Sequence, residues 1–312
     1  MILQFGMDYT YPPFALNAKR EMLAQVFEII APLLIIAVIG YLYGSRVQPQ
    51  MGFTNRLVMD VFMPALILQV MLQDGFRVLN YANLVIAGVG VMLVSGIIAF
   101  AVARMAGFDW RAFTPPAMFS NWANLGLPLY VFALGDIALD GGVMLVVVGN
   151  ILCFTLGVYI YSGRVHWLDV LKTPILIAVL VGFVFSTLQW SIPQFVRTPL
   201  SMLGQVAIPL MLFSLGVRLT RVSLNDSKQG LVMGLLCPIV GVLCALALAQ
   251  IIPLSDIHRN TLILFGVLPP AVVNFMLAEQ YSRQPTQVAS MVMIGNLISL
   301  LSIPLILIWL IL

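Results

Sequence analysis

Stretches without Asp, Glu, Lys or Arg recur along the chain, at 78–103, 112–135, 141–163, 173–196, 198–217, 229–255, 260–278 and 284–312. Each is near or beyond the roughly 20 residues a helix needs to cross a bilayer. Two more apolar segments carry one acid each, about 22–44 with Glu28 and about 57–73 with Asp60. The pattern predicts an all-α integral membrane protein of ten transmembrane helices, numbered here as spans one to ten. Residues 1–21 differ, holding Tyr, Pro, Asp and two adjacent cations without the apolar core of a signal peptide. They read as an N-terminal tail, and the hydrophobic body begins at Met22.

The spans repeat. "IAVIGYLYG" (36–44) aligns with "AVLVGFVFS" (178–186), placing Gly40 on Gly182, and "VFMPALIL" (61–68) with "VAIPLMLF" (206–213), placing Pro64 on Pro209. "LVIAGVGVMLVSG" (84–96) answers "LVMGLLCPIVGVL" (231–243), "PPAMFSNW" (115–122) answers "PPAVVNFM" (269–276), and "VVVGNILCF" (146–154) answers "VMIGNLISL" (292–300). The five offsets are 142, 145, 147, 154 and 146, in the same order in both halves, which chance resemblance of apolar segments does not produce. The chain therefore divides into residues 22–163 and 164–312, two five-helix repeats of one transporter domain. An odd number of spans per repeat inverts the second, the plan common in secondary transporters. Ten spans put 5 basic residues on the N-terminal side and 10 on the other, accounting for all 15. The positive-inside rule then places both termini away from the cytoplasm, in a multi-pass protein of the inner membrane.

Spans four and nine are interrupted. Pro115, Pro116 and Pro128 bracket a stretch loosened further by Gly126, and Pro269 and Pro270 interrupt span nine near its middle. Proline lacks the backbone donor and clashes with the preceding turn. The freed backbone groups cannot face hydrocarbon, so they belong inside protein or along a water-filled cavity. Broken helices in equivalent places of an inverted repeat meet near the midplane, where half-helix ends present partial charges. Asn121, Asn124 and Asn274 supply neutral amides there, able to replace lost backbone partners and to bind a substrate; Ser120 is the weaker candidate.

Other polar residues in the spans admit two readings each. Asp60 follows Arg56 by one helical turn, which favours an ion pair on one helix face over a coupling role. Glu28 has no nearby cation and reaches either the interface or a cavity. Gly149–Asn150 and Gly295–Asn296 recur in the repeats and read as packing around the crossover, with pocket lining as the alternative. Glu279, Tyr281 and Arg283 read as an interfacial cluster closing span nine.

Composition narrows the function classes. Hydrophobic residues make up 61% and charged residues 9%, with a mean hydropathy of +1.05, so the chain cannot dress a water-facing surface. Cys153, Cys237 and Cys244 lie inside spans without metal-ligand spacing. A net charge of +3 suggests no nucleic-acid partner. No soluble-enzyme motif is present, so neither an enzyme nor a cofactor or metal is expected.

"NLGLPLYVFALG", "LPPAVVNFMLAEQY" and "VFMPALIL" together resemble the auxin efflux carrier family in its bacterial branch, from about Met22 onward. The resemblance implies a ten-helix inverted-repeat carrier with helices four and nine crossing. It also implies a scaffold of helices 1, 2, 6 and 7, through which homodimers form. The cargo it implies is a small organic anion, a carboxylate or an auxin-like acid. Asn121 falls where the family has its crossover asparagine, five residues before Gly126 of the Gly-x-Pro, while Asn274 sits one place earlier relative to its Pro-Pro. The expected activity is secondary transport of that anion across the bilayer by alternating access. The alternatives are a channel or pore, and a membrane sensor or structural protein without transport.

Overall fold

The computed structural model describes residues 14–164, 172–220 and 227–311. Residues 1–13 of the expected tail lie outside the described residues, and the first helix, α1, already runs over Phe14–Val47. There follow α2 (Met51–Met71) and α3 (Val78–Ala106), then α4 (Trp110–Met118) and α5 (Trp122–Leu134). Next come α6 (Ile137–Ser162), α7 (Pro174–Leu188), α8 (Gln194–Leu219) and α9 (Ser227–Ile251). The chain closes with α10 (Asp256–Val267), α11 (Val273–Gln280) and α12 (Pro285–Ile311). Among the described residues, 7 helices are long and apolar enough to cross a membrane: α1, α2, α3, α6, α8, α9 and α12. The described residues form no strand, only one isolated bridge.

The shorter helices have local causes. Asp109 caps α4, its Oδ1 accepting from the Arg111 amide at 3.0 Å, and Ser255 caps α10 by accepting from His258 at 3.4 Å. Before α4, Gly107 ends α3 in the left-handed region at φ 72°, where only glycine is unstrained. Three of the longer helices contain a wide π turn: Val58–Phe62 in α2, Trp122–Gly126 in α5 and Cys153–Gly157 in α6. Such turns mark functional sites often enough to attract notice, and here residues from all three line one cavity.

Between apolar helices in lipid there is no hydrophobic drive, so close packing through small residues holds them together. Gly40 of α1 lies against the Phe213 backbone of α8, and Gly216 of α8 lies against the Ala37 backbone of α1. Gly182 of α7 seats Met71 of α2, and Gly204 of α8 seats the Leu66 backbone. These contacts tie α1, α2, α7 and α8 into one group. On the other side α9 packs on α10 with Gly241 and Gly266 backbone to backbone, and α12 lies across α9. The two broken stretches run between these groups.

Candidate functional site

The helix of α4 continues through Pro115 and Pro116 to Met118, so the break falls one turn later than the proline pair. Both prolines lie inside the helix, past its first turn, so the Arg111 and Ala112 carbonyls lack their usual i+4 donors, yet the helix continues and Pro115 still accepts from the Phe119 amide at 2.8 Å. The backbone then unwinds over 119–121 and resumes in the π turn of α5. Pro128 stands at the start of the α-helical part of α5, a tolerated position. Gly126 allows spans four and nine to approach, since an added Cβ would meet Leu268 at 2.9 Å. In span nine the helix stops at Val267 and restarts at Val273, so Pro269 and Pro270 sit in the break itself.

The two breaks cross as a minimal antiparallel pair. Asn121 N–H donates to the Pro269 carbonyl at 2.7 Å and Ala271 N–H donates to the Phe119 carbonyl at 3.0 Å, bracketing Ser120 and Pro270. Side chains add donors to the carbonyls of the crossing. Asn274 Nδ2 donates to Phe119 at 2.7 Å and to Ala271 at 2.9 Å. Asn296 Nδ2 donates to Pro270 at 3.1 Å and to Val292 at 2.7 Å. Two carbonyls facing each of these amides fix its orientation, because only the NH2 end can donate. The Gly-Asn pairs also pack on the crossover: Gly149 meets Trp122, and Gly295 meets Pro270.

Asn121 differs from Asn274. Its side chain is 1% exposed, yet Nδ2 has no hydrogen-bond partner in the protein. It lines a cavity of about 200 Å³ beside the crossover, together with Ser120, Asn124, Asn150, Ser214 and Gln280. Ser214 Oγ is a second buried polar atom without a partner on that wall. Met59, Met63, Trp122, Phe154 and Met211 supply apolar surface, and no Asp, Glu, Lys, Arg or His is among the described lining residues. Residues 120–124, opening α5, and 271–273, opening α11, both contribute, so two half-helix N-termini border the space. The positive ends of their dipoles favour negative charge.

Of the residues singled out from sequence, Ser120, Asn121 and Asn124 meet at this cavity, whereas Asn274 holds backbone behind it. Asn150 is a lining residue, its repeat mate Asn296 a backbone clamp, so one sequence motif takes both readings. Ser214 and Gln280 were not anticipated. Nothing in "LFSLG" or "AEQY" separates them from ordinary span residues.

Glu28 is exposed on α1 and away from the cavity. Asp60 forms no ion pair with Arg56; both side chains are exposed, and Asp60 lies in the π turn over Val58–Phe62, which departs from the regular i,i+4 spacing that favours such a pair. Asp60 lines a neighbouring cavity of about 190 Å³ instead. The ion pair among the described residues is Asp74 with Arg197, bidentate at 2.8 and 2.9 Å, whose hydrogen bonds and charge hold Asp74 below the usual carboxylate range. Arg283 turns from Glu279 to donate from Nε to the Tyr161 carbonyl at 3.1 Å.

The sequence is similar to those of known membrane transport proteins. A membrane transport protein family matches residues 25–164 and 159–307. An uncharacterized transporter of Methanocaldococcus jannaschii is 24% identical over 299 residues, covering 89% of this chain and 96% of the relative. A proposed malonate transporter of Rhizobium meliloti is 22% identical over 309 residues, covering 90% and 94%. Auxin efflux carrier component 8 of Arabidopsis thaliana is 27% identical over 141 residues, covering 43% of this chain and 38% of the relative. With matches spanning nearly all of its apolar body, the chain belongs to the membrane transport protein family, of auxin efflux carrier type.

Proposed function

We propose that the chain is a secondary carrier that moves a small organic anion across the membrane by alternating access. The observation that carries the reading is Asn121, which lines a cavity bordered by two half-helix N-termini and whose buried Nδ2 has no hydrogen-bond partner. A buried donor left unmade costs about 1–3 kcal/mol, so a ligand acceptor recovers that energy on binding. A carboxylate fits best: the lining offers neutral donors and helix ends, and no acid that would oppose it.

The same reading takes the chain as ten spans in two inverted repeats, 22–163 and 164–312. In support, α4 with α5 supplies one broken span, α10 with α11 the other, and α7 the last, beside the 7 long helices. The packing is also reciprocal under such a repeat. Span one lies on span seven as span six lies on span two, with the aligned glycines Gly40 and Gly182 at the two contacts. Both termini then face away from the cytoplasm in the inner membrane. The group α1, α2, α7 and α8 forms the scaffold, and its exposed apolar side chains, such as Ile35, Leu42, Phe183 and Phe195, suit a homodimer contact.

Direct binding of phenylacetate and malonate to the purified protein and to Asn121→Ala tests the site. Removing one charge-assisted donor worth about 1.5–3 kcal/mol should weaken binding about ten- to a hundredfold. Unchanged affinity in a folded variant would move the binding site elsewhere. Counterflow in vesicles separates a carrier from a channel.

A further inference from the structure

Resting on the carrier reading, we propose that Asp60 binds a monovalent cation, a proton or a sodium ion, that is taken up together with the anion. Asp60 lies in the π turn of α2, on the order of 15 Å of helix from either end of that 21-residue span. Asp60 is exposed on that helix, and an ionisable group in an apolar span is costly unless it meets water, a partner or a ligand. Its one sequence neighbour of opposite charge, Arg56, forms no ion pair with it.

The carboxylate lines the second cavity, which has Thr173, Pro174 and Leu176 of the α7 entrance as its far wall. Met59, Asn150 and Phe154 belong to both cavities, so only a layer of side chains separates Asp60 from the anion space. No other ionisable side chain lines either cavity among the described residues. On the elements packed against it, Lys172 precedes the α7 wall without an ion pair to Asp60, and Cys153 of α6 is fully buried outside both linings. The facing stretch of α8, residues 206–215, carries no ionisable group.

A charged Asp60 and a carboxylate in the adjoining cavity repel, which weakens anion binding. A cation on Asp60 removes that repulsion, and by linkage the anion strengthens cation binding by the same factor. The chain thereby gains a coupling ion without any cation-liganding cluster in the anion cavity itself.

The test uses the full chain in vesicles with the membrane potential clamped, and phenylacetate and malonate as probes. Counterflow without any ion gradient checks the carrier reading on its own; its absence sinks that reading and this inference with it. Given counterflow, an imposed tenfold gradient of protons or of sodium should drive accumulation of up to about tenfold in the wild type. A response to protons alone or to sodium alone identifies the ion. Asp60→Asn should keep counterflow and lose the response, while Asp60→Glu keeps both. Wild-type counterflow that neither gradient drives, or an Asp60→Asn chain that still responds, overturns the assignment. The wild-type arm stands even where a variant fails to fold.

Discussion

Asn274→Ala separates a structural asparagine from a liganding one. The side chain is fully buried, and its NH2 donates to two carbonyls, Phe119 at 2.7 Å and Ala271 at 2.9 Å, on opposite sides of the crossing. Each hydrogen bond is worth about 0.5–1.5 kcal/mol net. Both acceptors keep one backbone donor in the variant, Ala271 N–H on Phe119 and Asn274's own N–H on Ala271, so neither becomes an orphan. Asn274 Oδ1, without a partner, disappears with the amide, which relieves a small cost. The balance is a loss of about 2 kcal/mol in the closed crossover, or roughly a thirtyfold rise in its open population. Hydrogen exchange of the Asn121 and Ala271 amides, which make the bridge, reads that population directly in the purified protein. Exchange at those amides should accelerate about thirtyfold, while amides of α3 and α9 stay unchanged. If exchange moves by less than about threefold while anion binding is lost, Asn274 is a ligand group and the clamp argument fails.

Gly241→Ala would drive a Cβ into the Gly266 carbonyl and part α9 from α10, costing about 3 kcal/mol or more; near wild-type thermal stability in detergent would contradict the close contact. A reporter fused after Leu312 should be active outside the cytoplasm and one inserted near Ser227 inside, and a cytoplasmic C-terminal signal would break the five-plus-five scheme. The Asn121→Ala and Asp60→Asn experiments above complete the set, one reading anion affinity and the other the driving ion.

The apolar helices were legible in the sequence because hydrocarbon admits few charges, so charge-free runs outline the spans whatever their packing. The place of the crossover was legible for the same reason: Pro269, Pro270 and Gly126 in apolar runs must be compensated inside protein. The family followed from "NLGLPLYVFALG" and "LPPAVVNFMLAEQY", and the matches across the chain bear it out.

Register and partners were not legible. Aligning Pro115–Pro116 on Pro269–Pro270 gives an offset of 154, yet the residues that cross, Ser120 and Pro270, are 150 apart. Pro115 and Pro116 stand inside a helix that continues past them, whereas Pro269 and Pro270 stand in a break, and sequence alone does not tell the two apart. The π turns in α2, α5 and α6 were equally silent, since one inserted residue leaves no mark in an apolar run. Asp60, in the turn of α2, lines a cavity and is not paired with Arg56. Sequence put Asn121 and Asn274 on equal terms as amides near broken backbone. Only the tertiary structure, by supplying two carbonyls to one and none to the other, decided which amide clamps the backbone and which keeps an unpaired donor.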